Sequence, residues 1–314
     1  VKKNPQRNGL FANSMELAKS VAQKLMRQTD AKAIITEYAE ELTAACGKNV
    51  TFIADSEIPT AAKLEVAENY DRDEHIVRYK PSYPAGEHLQ MHELVHLDFI
   101  TQARKANINQ LFISTQQEKK AFIRSLEPTI KRLNKLGISD EALANYCSSL
   151  FDGLNRQIFN APIDLFIEDF LYEEYPDLRP FQFISLYGMV KEGLQAVTDK
   201  KIVDLSPKDV LSKSKIYNII GALHFKEQFG VDLISNYKAT SLELKQAKDL
   251  YQEYLEYRDD REPGEEYELV QHWAEDLNLD KNFELVKELE FRSKRTDLDN
   301  ILESIEQDPY GVND

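Results

Sequence analysis

Apolar residues recur three and four positions apart along most of this chain, and that spacing commits the greater part of it to α-helix. Beyond Pro180 the pattern predicts helices over 181–197, 207–228, 240–258, 264–277 and 281–293, joined by short polar connections such as Asp259–Gly264. Ahead of them it predicts a helix over 13–46, with Ser14 able to cap and Leu17, Val21, Leu25, Ile34, Tyr38 and Leu42 forming its apolar stripe. Further helices are expected over 87–106, 116–136 and 140–159, the last two separated by Gly137–Ser139. One over 161–175 is opened by Pro162 near its first turn and closed before Pro176. Only Asn49–Asp55 and His75–Lys80, short and β-branched or alternating, read as strands. The fold class expected is mainly α (α+β), with a small N-terminal β-sheet ahead of the helices and no repeat of 20–50 residues. The organisation expected is a first domain over 1–180 and an all-helical region over 181–314, whose last ten residues read as frayed.

With 42% apolar and 30% charged positions and only 11 Gly and 11 Pro in 314 residues, the chain is built to fold, and it is long enough to bury a core without staples. Its net charge of −15 is the wrong sign for phosphate backbones or anionic lipid, so neither nucleic acid nor a membrane surface is an expected partner. Two cysteines, Cys46 and Cys147, are too few for a disulfide framework and fit a reducing, cytoplasmic setting. No apolar run reaches the roughly 18 residues of a membrane span, and the first 30 residues lack a signal-peptide pattern. Val1 in place of methionine leaves room for a removed targeting segment.

The chemistry concentrates at His92-Glu93-Leu94-Val95-His96, an HExxH motif inside the 87–106 helix. Residues four apart share a helix face, so both imidazoles can reach one ion while Glu93, about 100° round the axis, points at a water on that ion. In a chain with 6 histidines a chance match is on the order of one in a hundred. Neutral imidazoles suit Zn²⁺, and a catalytic zinc keeps one position open for water.

Two histidines leave such an ion one protein ligand short. The extended motif HExxHxxGxxH would need Gly at 99 and His at 102, where Phe99 and Gln102 stand, so the third ligand is expected to be a carboxylate from a later helix. Over 161–175 the apolar stripe is Ile163, Phe166, Ile167, Phe170 and Leu171. Glu168 and Asp164 lie on one flank of it and Asp169 on the other. Glu168 is therefore the expected third ligand, with Asp164 accepting a hydrogen bond from a ligand imidazole. Glu118, amid polar neighbours, reads as a solvated helix start. His88 is four residues before His92 but is left out, because three histidines in one helical row cannot all coordinate comfortably.

HELVH at 92–96 followed by NAPIDLFIED at 160–169 resembles the gluzincin metallopeptidases, which carry HExxH on one helix and a zinc-binding Glu on a later one. It looks most like members with a long helical insertion between the two ligand helices, as in the CAAX-protease-like branch. The resemblance covers about 75–175. It implies a zincin-like core, zinc at His92, His96 and Glu168, and Glu93 as general base. The thermolysin-like ExxxD pattern would need Asp at 172, where Tyr172 stands, and the membrane helices of the CAAX-protease branch are absent, so the compact soluble gluzincins are the better comparison.

The function expected is that of a zinc-dependent peptidase acting on a peptide or protein substrate. The alternative is a non-catalytic protein-binding or regulatory module on the same fold. The oxyanion donor is sought among Tyr172, Tyr175, Tyr187 and His224. The strand His75–Lys80 could offer an edge to an extended peptide, with His75 exposed. The charged C-terminal helices, Glu253–Glu268 among them, read as a solvated face that could also wall the cleft or dock a protein partner, while Trp273 beside His272 reads as core.

Overall fold

The computed structural model describes the backbone of residues 5–293 and 304–306 and the side chains of residues 15–293; the frayed end read from the sequence lies largely outside the described residues. In chain order the elements are α1 (Pro5–Met26), α2 (Ala31–Cys46), β1 (Asn49–Ala54), β2 (Ala62–Glu65), β3 (Glu74–Tyr79), α3 (Gly86–Lys105), β4 (Gln110–Thr115), α4 (Gln116–Ser125), α5 (Glu127–Lys135) and α6 (Asp140–Glu174). There follow α7 (Arg179–Thr198), α8 (Lys200–Leu205), α9 (Lys208–Phe229), α10 (Ser241–Arg258), α11 (Glu265–Asp276), β5 (Glu284–Lys287), α12 (Glu288–Ser293) and β6 (Ser304–Glu306). The protein is mainly helical, as the periodicity requires.

Where one helix was read over 13–46 there are two. Asp30 accepts the backbone N–H of Ala33 at 3.2 Å and caps α2, a local bond that competes with continuing the helix. α1 begins at Pro5, so Ser14 lies inside it instead of capping it. The expected stripe also divides. Tyr38 and Leu42 are buried, but Leu17, Val21 and Leu25 face outward and α1 buries Met15 and Ala22.

The N-terminal sheet has the order β1-β3-β2, with β1 parallel to β3 and β2 antiparallel to it. β3 is thus the middle strand, paired from Glu74 to Tyr79 on one side and from Ile76 to Tyr79 on the other. This corrects two expectations. The strand at 75–80 offers no free edge to a peptide, and His75 is fully buried, its Nδ1 accepting the backbone N–H of Ala67 at 3.1 Å.

α3 packs on this sheet and on α2. Its Met91, Leu94, Val95, Leu97 and Ala103 have no exposed surface, a helix apolar on nearly all sides and so enclosed on nearly all sides. Glu87 in its first turn and Arg104 and Lys105 in its last suit the helix dipole. Arg104 makes two bonds to Glu288 at 2.7 and 2.8 Å and one to Glu68 at 2.9 Å, tying the end of α3 to the start of α12 and to the segment between β2 and β3.

α6 runs unbroken over 35 residues, about 52 Å, where two helices were expected. Pro162 sits in its interior, buried, and has no N–H to give to the Ile158 carbonyl. α6 touches α3, α4, α7, α9 and α11, so it carries the packing of both halves. A buried Asn155 fixes its middle, donating to Ser114 at 2.9 Å and to the Asn282 carbonyl at 3.4 Å. A second sheet, β5-β4-β6, is antiparallel throughout, and residues 284–287, read as helix, are a strand because they pair with β4. Trp273 is fully buried, as expected, and one continuous core runs from Leu42 and Val77 through Leu94 and Ile163 to Phe225 and Trp273.

Candidate metal centre

Both histidines of the motif stand on α3 one turn apart, and Asp164 and Glu168 stand on α6 one turn apart, so that two pairs with the same spacing face each other across the helix contact. Their side chains meet. His92 Nε2 lies 3.1 Å from His96 Nε2, and Asp164 Oδ1 lies 3.3 Å from each of them. These three atoms form a nearly equilateral triangle. Metal–ligand bonds of about 2.0–2.1 Å in a tetrahedral site set donor atoms about 3.3 Å apart, so the triangle fits a divalent cation with no rearrangement.

The two carboxylates meet different edges of His92, and each belongs to a group that could hold an ion. Glu168 engages the opposite edge of His92: its Oε1 lies 2.9 Å from His92 Nδ1, and its Oε2 lies 2.9 Å from His88 Nε2. Gln182, on α7, donates to Glu168 Oε2 at 2.6 Å and to its carbonyl at 2.8 Å. His88, His92 and Glu168 make a second group within ligating distance of one another, sharing His92 with the first. Asp164, not Glu168, is the carboxylate that stands against the Nε2 pair.

The proton positions follow from charge. Burial pushes Glu168 up, but the charges and hydrogen bonds of His88 and His92 outweigh it and hold the carboxyl well below its ordinary range. An ionised carboxylate only accepts, so His92 Nδ1 carries a proton, and in the neutral ring Nε2 keeps its lone pair for an ion. Burial likewise pushes Asp164 up, and the bonds to His92 and His96 bring it below the usual carboxylate value. His92 is raised well above an ordinary histidine: burial opposes its charge, but Asp164 and Glu168 on its two edges prevail. His96 is pushed down to about 4, first by burial, with the neighbouring His92 charge adding to it. The two facing Nε2 atoms therefore differ in basicity, His92 keeping a proton to higher pH than His96.

Glu93 is buried beside His92 on the next position of α3. His224 is also buried, on α9, between Asp169 at 3.3 Å and the Tyr251 hydroxyl at 3.2 Å, and burial lowers its pKa. The other three candidate donors are engaged as packing groups: Tyr172 under the Arg179 guanidinium, Tyr175 against Tyr38, and Tyr187 stacked on Phe183. Glu118 starts α4 as expected, closing a capping box with Thr115. Sequence reasoning missed the contacts of His88 and Gln182 with Glu168. The repeated four-residue spacing through His88, His92 and His96 was the available signal for the first; a glutamine on a later helix offered none for the second.

No family model matches the sequence, and comparison with curated proteins and with solved structures gives no match. Among the described residues no helix is long and apolar enough to cross a membrane.

Proposed function

We propose that this chain is a zinc-dependent hydrolase of peptide bonds, built on a zincin-like core, with His92, His96 and Asp164 as metal ligands. The observation that carries this reading is the triangle of 3.1, 3.3 and 3.3 Å between two imidazole Nε2 atoms and one carboxylate oxygen, at the contact of two helices. Two nitrogens and one oxygen are a donor set suited to zinc, and three protein ligands leave the fourth position that hydrolysis needs. Both cysteines are free, Cys147 buried, which supports a reducing, cytoplasmic setting.

Zinc, when bound, supplies Lewis acidity that polarises the substrate carbonyl and makes water more acidic. The residues do the rest. Asp164 and the two Nε2 atoms fix the site, and Glu168 keeps the proton on His92 Nδ1 so that Nε2 faces the centre. Gln182 holds Glu168 in place. Glu93 accepts a proton from the attacking water at its carboxylate and returns it to the leaving amine nitrogen. The apolar shell of α3 limits bulk water, which strengthens each of these interactions.

Metal analysis of the purified chain beside a peptide-cleavage assay tests the reading. About one zinc per chain is expected, with cleavage that Glu93→Gln lowers at least about a hundredfold while zinc content is kept. Zinc without cleavage in either protein would leave the binding-module alternative, and no zinc would overturn the centre itself.

A further inference from the structure

Between α6, α7 and α9 lies a cavity of about 540 Å³, a volume that holds a drug-sized ligand. His92 and Asp164 are part of its wall, so it is continuous with the candidate metal centre. Much of the remaining wall is apolar, with Leu154, Leu165, Leu186, Val190 and Phe225. Met189 and Ile202 line it and are also exposed, which places its opening toward solvent at α7 and α8.

Two glycines leave part of this space open. Gly153 on α6 and Gly221 on α9 both line it, and glycine within a helix lowers helix stability. Other glycines have a local reason. Gly47, Gly137, Gly230 and Gly264 take left-handed backbone conformations, and a Cβ on Gly193 would lie 1.9 Å from Asn218 Oδ1. Neither reason applies to Gly221, where nothing lies within 4 Å of an added Cβ, and at Gly153 only Arg156 Nη2 comes as near as 4.0 Å. The missing side chains are open space.

We propose that this cavity is the specificity pocket of the enzyme and that it receives a bulky apolar side chain next to the bond to be cut. The inference rests on the reading of the metal centre as a peptide hydrolase. A zinc-loaded panel of alanine hexapeptides carrying one Leu, Phe, Ala or Asp tests it. The wild type is expected to prefer Leu and Phe over Ala by about 10–100-fold in kcat/KM. Gly221→Leu, which extends a side chain into the cavity from α9, is expected to reduce that preference to within about threefold while the melting temperature holds or rises. A readout independent of cleavage is the fluorescence of N-phenyl-1-naphthylamine with metal-free protein, expected to rise with wild type and not with Gly221→Leu. An unchanged side-chain preference in the variant, or equal dye signals from the two proteins, would overturn the pocket. If no peptide is cut but the dye signal separates the two proteins, the hydrolase reading falls and the apolar pocket stands.

Discussion

Asp164 and Glu168 lie one turn apart on α6 and meet opposite edges of the same imidazole, and in the proposed reading that difference in contact separates a ligand from its support. Replacing each in turn tests the assignment. Glu168→Gln is expected to weaken zinc binding by about 10–100-fold, the usual effect of losing a carboxylate behind a ligating histidine, whereas Asp164→Ala weakens it more than about a hundredfold. Competition with a chelator of known affinity reads both, and the reverse order would make Glu168 the ligand. A second residue-scale prediction concerns His75, whose pKa burial pushes down to about 4, with the Glu68 charge opposing and Arg104 and Lys48 reinforcing the shift. An unfolded histidine takes up its proton near pH 6.5. The unfolded state therefore binds protons first as pH falls, so the stability His75 confers is present above about 6.5 and is lost progressively toward 4. His75→Asn keeps an acceptor for the Ala67 N–H and removes the titration. Urea midpoints at pH 7.5 and 4.5 are expected to show wild type losing about 2 kcal/mol more than the variant across that interval. Equal losses would mean that the histidine is not held neutral.

At the scale of elements, α7 and α9 approach closely enough at Gly193 that a methyl group there would strike the Asn218 amide. That amide also donates to the Ser214 carbonyl at 2.7 Å, so it cannot rotate away without losing a bond. Gly193→Ala is expected to destabilise by about 1 kcal/mol despite its better helix propensity, and to stabilise by about 0.5–1 kcal/mol once Asn218 is also alanine. Thermal unfolding of the four proteins of the cycle measures the sign change; additive effects would remove the clash from the account. The same packing explains which elements were legible in the sequence. α3, α7, α9, α10 and α11 carry long periodic stretches and match their expected bounds to within two residues. β2, β4 and β5 are four to six residues long, and what makes them strands is pairing with distant segments, Leu111 with Val286 for example, which no local pattern records. Pro162 signalled a helix start by its chemistry, yet the packing of α6 on its neighbours carries the helix through it. In the site, the motif and the flank of the α6 stripe identified the residues that meet. Which carboxylate faces which nitrogen depends on the relative height of two helices, a quantity absent from either helix alone.

Across the whole molecule, the candidate ligands join α3, which belongs to the N-terminal sheet, to α6, which carries the C-terminal helices. A cation held by both is therefore coupled to unfolding of the chain and not of one segment. Ligand binding to the native state adds RT ln(1 + [L]/Kd), about 2.7 kcal/mol at a hundredfold excess over Kd. For a chain of this length that corresponds to roughly 4–6 °C in melting temperature. Zinc at that excess is expected to raise the melting temperature by this amount at pH 8, a chelator to remove the gain, and Asp164→Ala to show no gain at the same concentration. The sign of the pH dependence follows from the site's own proton. His92 binds it more tightly than an ordinary histidine does, and an ion at Nε2 must displace it, so the zinc-induced shift is expected to shrink as pH falls from 8 to 6. His96, held neutral until about pH 4, adds nothing to that decline. Proton release on zinc binding that grows as pH falls, measured by titration in buffers of different ionisation enthalpy, is what this arrangement predicts. A shift that does not change with pH would place the ion away from the two facing imidazoles.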